Sequence, residues 1–392
     1  MAMLYAVATA GAVGDGIAMI ALPLATAVAT RDPAATALVG AAGLLPAVGI
    51  QPLAGMWADR WPARHLMQIA AGVRAAALAA TAVAVLAGHG TPPLLAITAL
   101  ITASGRVVHA ITLQTAVPLT TRSGHDARDL ANARVHAIDI GGNLLAGPLL
   151  GAAIVAAAPA AAFAAAAGCC AAAAGLATGL PRHHGPADGA VRQRWAMVAG
   201  LRWLAHHRLL RTTTLLAGAS TVAYSITWPI LPLYATGPLG LSPAEAGALI
   251  AAFAVGAITA TPLAHHVRTR AGDRGLLLGV GVIQATAWTT MSLTISTAVT
   301  AIALAAIGAS ATLANNTLTS LRQTHAPPLL LGRVVATGRT ITAAAAPAAA
   351  LAGGTLATTS LRTPPLASAA LLALATAALA PALLRTQRPP IE

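Results

Sequence analysis

Long apolar stretches run the length of the chain, broken at intervals by short polar punctuation. A bilayer core of ~30 Å needs about 20 apolar residues per helix. Stretches of that length fall near residues 3–29, 34–57, 64–88, 92–119, 130–156 and 158–180. A second series falls near 212–236, 243–266, 275–297, 299–321, 334–358 and 364–385. The pattern predicts an all-α membrane protein of twelve transmembrane helices, as six-helix bundles over residues 1–180 and 212–392 joined by a linker over 181–211. Pro and Gly occur inside many of the stretches, which membrane helices tolerate better than soluble ones. The linker opens loop-like and then turns helical in pattern. Trp195, Val198, Leu201 and Leu204 recur at helical spacing, with Arg194, Arg202, His206 and Arg208 elsewhere around the helix. An arginine-rich amphipathic helix of this kind belongs in the membrane interface, where anionic lipids attract it.

Composition agrees. Of the 392 residues 57% are hydrophobic and 8% charged, against about 25% charged in an average soluble domain. The net charge is +13 and every basic residue is an arginine. A pI near 11.6 raises nucleic acid as a partner, but no recognisable binding fold supports it and none is expected. The arginines instead report orientation. With the N-terminus inside, seventeen fall in cytoplasmic segments, and only Arg31 and Arg362 fall in external loops. The expected location is the bacterial cytoplasmic (inner) membrane, with both termini cytoplasmic and the bilayer itself as a partner. Cys169 and Cys170 are neighbours in one apolar helix, where they cannot easily bridge each other, and they lack metal-ligand company. They read as small core residues.

Two motifs carry more. After the second stretch the chain reads Gly55-Met-Trp-Ala58-Asp59-Arg60-Trp-Pro62-Ala63-Arg64. This resembles the signature between helices two and three of the major facilitator superfamily, with Gly55, Ala58, Asp59, Arg60 and Arg64 matching and Trp57, Pro62 and Ala63 departing. The fifth stretch carries Asn143, Gly147, Pro148 and Gly151 in a pattern that resembles the superfamily's antiporter motif, with Asn143 in place of a glycine. Further likeness to the macrolide-efflux and enterobactin-exporter branch lies in Gly14-Asp15-Gly16, in residues 201–210, and in Leu321-Arg322-Gln323 with Pro328 and Gly332-Arg333. The resemblance implies the major facilitator fold of two pseudo-symmetric bundles. It also implies that Gly55, Asp59, Arg60 and Arg64 latch the halves on the cytoplasmic side, and that the chain exports rather than imports. A plain positive-inside anchor is the other reading of the first motif. A kinked helix with small packing residues is the other reading of the second.

Charges inside the membrane are costly and mark function. Asp15 lies mid-span in the first helix, with no partner evident on that helix. Asp139 lies ~15 Å into the fifth, near the midplane. Arg106 and His109, and likewise His136 and Asp139, share helix faces at i, i+3 spacing, and Arg106 lies at a depth that allows pairing with Asp139. A carboxyl taken out of water favours its neutral form, and a nearby arginine or incoming cation releases the proton again. Asp15 is therefore the first expected proton carrier and Asp139 the second. A static polar network that fixes helix packing is the alternative. The second half has no mid-membrane acid, which disfavours a strongly cationic substrate. Gln114, Tyr224, Trp228, Asn315 and Asn316 are the expected cavity lining for a bulky amphiphile, with an interfacial belt as the other reading of Trp228 and Tyr234.

The sequence thus predicts a proton-driven antiporter that exports a drug-like molecule, secondary metabolite or siderophore and acts as a monomer. It is expected to use the proton gradient and no cofactor or metal. A metabolite importer or uniporter of the same fold is the alternative. A membrane enzyme is the more distant one, since the chain has no H-E-x-x-H, G-x-S-x-G or phosphate loop.

Overall fold

The computed structural model describes residues 1–120, 125–180, 201–327 and 330–384. Among them there is no strand, and twelve helices are long and apolar enough to cross a membrane. They are α1 (Ala2–Thr30), α2 (Pro33–Gln51), α3 (Ala63–Leu86), α4 (Pro92–Gln114), α5 (Ala133–Ala157) and α6 (Pro159–Gly179). The second half holds α7 (Arg208–Thr236), α8 (Pro243–Ala260), α9 (His266–Leu293), α10 (Thr297–His325), α11 (Val334–Thr359) and α12 (Thr363–Leu384). Residues 181–200 of the expected linker lie outside the described residues, as do Pro328 and the side chains of Asp59 and Arg333. The remainder of the linker is helical over 201–206, and α7 begins at Arg208 rather than at 212.

Local chemistry sets the helix ends. Before α2, Asp32 accepts from the amides of Ala34 and Ala35 at 2.9 and 3.3 Å, and Pro33 supplies the first helical position, where its missing N–H costs nothing. Ser242 and Glu245 form a reciprocal capping box at the start of α8, satisfying two orphan donors. Proline also dictates the interruptions. The α2 helix breaks at Leu45 before Pro46, and α7 tightens to a 3₁₀ turn over Trp228–Ile230 around Pro229. The α5 helix loosens to a π-helix over Ile140–Ala146 just ahead of Pro148. Proline has no N–H to give the carbonyl four residues back, so the regular ladder cannot run through it.

The two halves repeat one packing plan. In the first, α1 lies against α5 and α6, α3 against α4 and α6, and α2 against α4. In the second, α7 lies against α11 and α12, α9 against α10 and α12, and α8 against α10. Adding six to each helix number maps one set onto the other. The halves meet chiefly along α2 against α11 and α5 against α8, a pair of contacts that the same operation exchanges. Both close at the end opposite the Gly55–Arg64 segment, and small residues permit it. A β-carbon added at Gly354 would stand 2.3 Å from Cβ of Ala37, and one at Gly247 would stand 2.1 Å from Cβ of Ala152. Backbones this close gain dispersion energy where lipid offers no hydrophobic drive for helices to associate.

Candidate functional site

Asp15 sits in α1, and its carboxylate accepts from Nη2 of Arg74 in α3. The Arg74 side chain is fully buried and that of Asp15 is 10% exposed. Arg74 crosses to α1 because α4 offers no side chain at Gly105, where a β-carbon would lie 2.6 Å from Cγ and Cδ of the arginine. The same Nη2 reaches the carbonyl of Gly11 at 3.4 Å. Nε and Nη1 of Arg74 are buried without a hydrogen-bond partner. So are both ring nitrogens of His109, next to Gly11, and Oδ1 of Asn143 in the π-helical segment. A polar layer with several unused donors and acceptors therefore crosses the first bundle.

Two cavities adjoin this layer, and a third adjoins those two. The largest, about 760 Å³, is lined by Asp15, Arg106, His109, His136, Asp139 and Gln114 among others, and reaches Gln323 in the last turn of α10 and Arg339 in α11. A second, about 320 Å³, shares Asp15, Arg106 and Asn143 with the first and adds Tyr224 and Trp228. The third, about 360 Å³, shares Tyr224 with the second and Arg339 with the first, and adds Asn315, Gln284, Trp288 and Arg322. Shared lining residues place the three side by side in one chamber region, the first two between the halves and the third within the second half. Tyr224 stacks on Trp228 at 4.6 Å between centroids, and Phe253 closes on Trp228 at 5.3 Å. Trp228 thus belongs to the chamber, whereas Tyr234 is buried with its hydroxyl donating to the carbonyl of Met291.

The structure reverses the expected charge pairing. Asp15, for which no partner was evident on its own helix, is the paired acid. Arg106 and Asp139 face one cavity without an ion pair within 4.0 Å. The reason is that a partner on α3 is invisible to spacing along α1. Asn315 lines the third cavity, but Asn316 lines none of the three, because consecutive helical residues point about 100° apart. Gly147, Pro148 and Gly151 are buried. A β-carbon at Gly147 would stand 2.5 Å from Cα of Gly16, so the motif is where α5 lies directly on α1 beside Asp15. Gly55–Arg60 is the end of the helix that begins at Pro46, and the turn into α3 falls at Trp61 and Pro62. Arg60 is exposed, and Arg64 is half-buried with Nε lacking a partner. Sequence reasoning missed Arg74 and Arg339, and placed Arg322 in a cytoplasmic segment. One signal was available. The arginines left over once cytoplasmic and external loops are counted are Arg74, Arg106, Arg134 and Arg339. Among the described residues, no group of three or more His, Cys, Asp or Glu is placed to hold a metal ion.

A family model described as transmembrane secretion effector matches residues 1–389. The chain belongs to this family of the major facilitator superfamily. Solved structures agree on the fold. The nucleoside transporter NupG superposes with a TM-score of 0.72 at 15% identity, covering 98% of this chain and 99% of that one. A bacterial homologue of the iron transporter ferroportin gives 0.71 at 19% identity over 98% of both chains. A D-xylose-proton symporter gives 0.69 at 15% identity over 96% of both. No curated protein sequence matches. The protein is a multi-pass membrane transporter, and its family and fold are those of transporters rather than enzymes.

Proposed function

We propose that this transporter is a proton-coupled exporter of a small amphiphilic molecule in the bacterial inner membrane, with both termini cytoplasmic. The buried Asp15–Arg74 pair, at the point where two cavities meet, carries the reading. Protonating Asp15 removes the counter-charge of Arg74. Ionising it restores the pair, so proton occupancy changes the electrostatics of the chamber wall. The Asn143, Gly147, Pro148 and Gly151 segment lies against α1 next to this acid and couples any shift of Asp15 to the α5–α8 contact between the halves. With the arginine-rich end in the cytoplasm, the closed end faces outward and the chamber stands on the loading side for export. The two six-helix bundles, with the second beginning at Arg208, then rock about the chamber as a monomer, with Gly55, Asp59, Arg60 and Arg64 latching the inner side.

Everted membrane vesicles with an inward-acid gradient test this with hydrophobic dyes, macrolides and siderophores. Wild type is expected to dissipate the gradient when a substrate is added, and Asp15→Asn to lose that response. Full coupling in Asp15→Asn eliminates Asp15 as the carrier. Absence of any response across the panel overturns proton-coupled export.

A further inference from the structure

The chamber wall is unbalanced in charge. Arg106, Arg322 and Arg339 line it, against Asp139 and the already paired Asp15. The imbalance concentrates in the second-half cavity, whose lining includes Arg322 and Arg339 and no acid. Neither arginine lies within 4.0 Å of a carboxylate among the described residues. Arg322 is 6% exposed, and its Nε is buried without a hydrogen-bond partner. The place is built for it. A β-carbon at Gly338 of α11 would stand 2.6 Å from its Nη2 and 3.0 Å from Cζ, so the guanidinium lies directly against the α11 backbone at this glycine. Arg339 follows directly and faces both this cavity and the larger one.

A desolvated guanidinium without a counter-charge is costly, and its fork of donors matches a carboxylate, sulfonate or phosphate. Around the arginines stand Tyr224, Phe253 and Trp288, with Asn315 beside them. A cavity of about 360 Å³ is within the range that holds drug-sized ligands. We infer that this cavity takes the acidic end of the transported molecule, so that the substrate is an amphiphilic organic anion whose carboxylate, sulfonate or phosphate rests on Arg322 and Arg339 and whose apolar body lies along the aromatic wall. The inference deepens the export reading, and rests on it only for the direction of movement.

Anilinonaphthalene sulfonate and phenylnaphthylamine have the same aromatic body, with and without the anionic group. Both are titrated by fluorescence against purified full-length protein in phosphatidylcholine nanodiscs, with empty nanodiscs subtracted. Wild type is expected to bind the sulfonate about tenfold or more tightly than the neutral amine. Arg322→Gln and Arg339→Gln are each expected to weaken the sulfonate about tenfold and leave the amine unchanged, and Arg322→Lys to keep part of the preference. Arg339 is exposed to the chamber, so its variant holds the test if Arg322→Gln does not fold. Equal affinity for the two probes in wild type, or sulfonate binding unaltered in Arg339→Gln, overturns the inference. Adding phosphatidylglycerol separates the sources of such a group. Loss of the preference in its presence assigns the site to a lipid headgroup and overturns the substrate assignment. Binding is read without direction or coupling. A retained preference with no gradient collapse in vesicles faults the export reading alone, and collapse driven by neutral dyes with no preference faults this inference alone.

Discussion

At the centre of the first bundle a fully buried guanidinium is paired with a carboxylate that is 10% exposed. A buried pair of this kind is held by mutual need more than by net gain. Removing one partner strands a charge, whereas replacing both by apolar groups is often neutral. Arg74→Leu is therefore expected to lower stability in detergent by about 3 kcal/mol, and Asp15→Leu/Arg74→Leu to recover most of that loss while remaining inactive in vesicles. Thermal unfolding of the three proteins checks this, and a double variant no more stable than Arg74→Leu would contradict it. Sequence spacing found the acid but not its partner. The two residues stand 59 positions apart on different helices, and no periodicity within a helix reports on a neighbour brought in by the fold. The same limit explains Asn316, an amide of the right type on the wrong side of α10.

Helices were the most legible level. The spans match the apolar stretches to within a few residues in most cases, because the bilayer imposes a minimum apolar length on each crossing. The larger departures are polar extensions. The α9 helix was expected from 275, but helical structure begins at Ala264, through His266, Arg268 and Arg270, with a kink where Gly272 takes φ 68°. A hydropathy ruler measures the membrane, so it does not see helix that continues beyond it. The start of α7 is another example, and it brings a pH-sensitive cap. Nδ1 of His207 accepts from the amide of Leu210 at 3.3 Å, while its ring stacks on Trp203 at 5.0 Å and meets His325 edge-on at 5.5 Å. Partial burial, and then the neighbouring His325, hold the His207 pKa below its ordinary 6.5. Protonation turns Nδ1 from acceptor into donor and ends the cap. Since the unfolded segment takes up the proton more readily than the folded one, the cap is intact above about pH 6.5 and is lost as pH falls through and below that value. Hydrogen exchange in residues 203–210, corrected for intrinsic rate, is expected to rise between about pH 7 and pH 5. His207→Asn keeps an acceptor that does not titrate, and should abolish the pH dependence. An equal rise in that variant would rule the cap out as its cause.

The whole molecule is closed at one end by contacts that its own near-symmetry exchanges, α2 on α11 and α5 on α8. Gly354 against Ala37 leaves no room for a larger side chain. Gly354→Leu is therefore expected to wedge this end apart and shift the population toward a state open there. Spin labels at Asp32→Cys and Ser360→Cys, in a Cys169→Ala/Cys170→Ala background, would report it as a longer inter-label distance. A distance distribution identical to that of the parent would mean that this contact does not hold the end shut. By itself the sequence determined the number and length of the crossings, the family, and the chemical types at the centre, Asp15, Asp139, Arg106 and His109. Each of these follows from local rules of span length and residue cost in a bilayer. Tertiary structure alone decided that Asp15 belongs to Arg74, that Arg322 and Arg339 turn toward the chamber, and which end of the bundle is closed. Those outcomes depend on which faces of helices far apart in sequence come together, and in lipid that choice rests on close packing of small residues, which a hydropathy pattern does not encode.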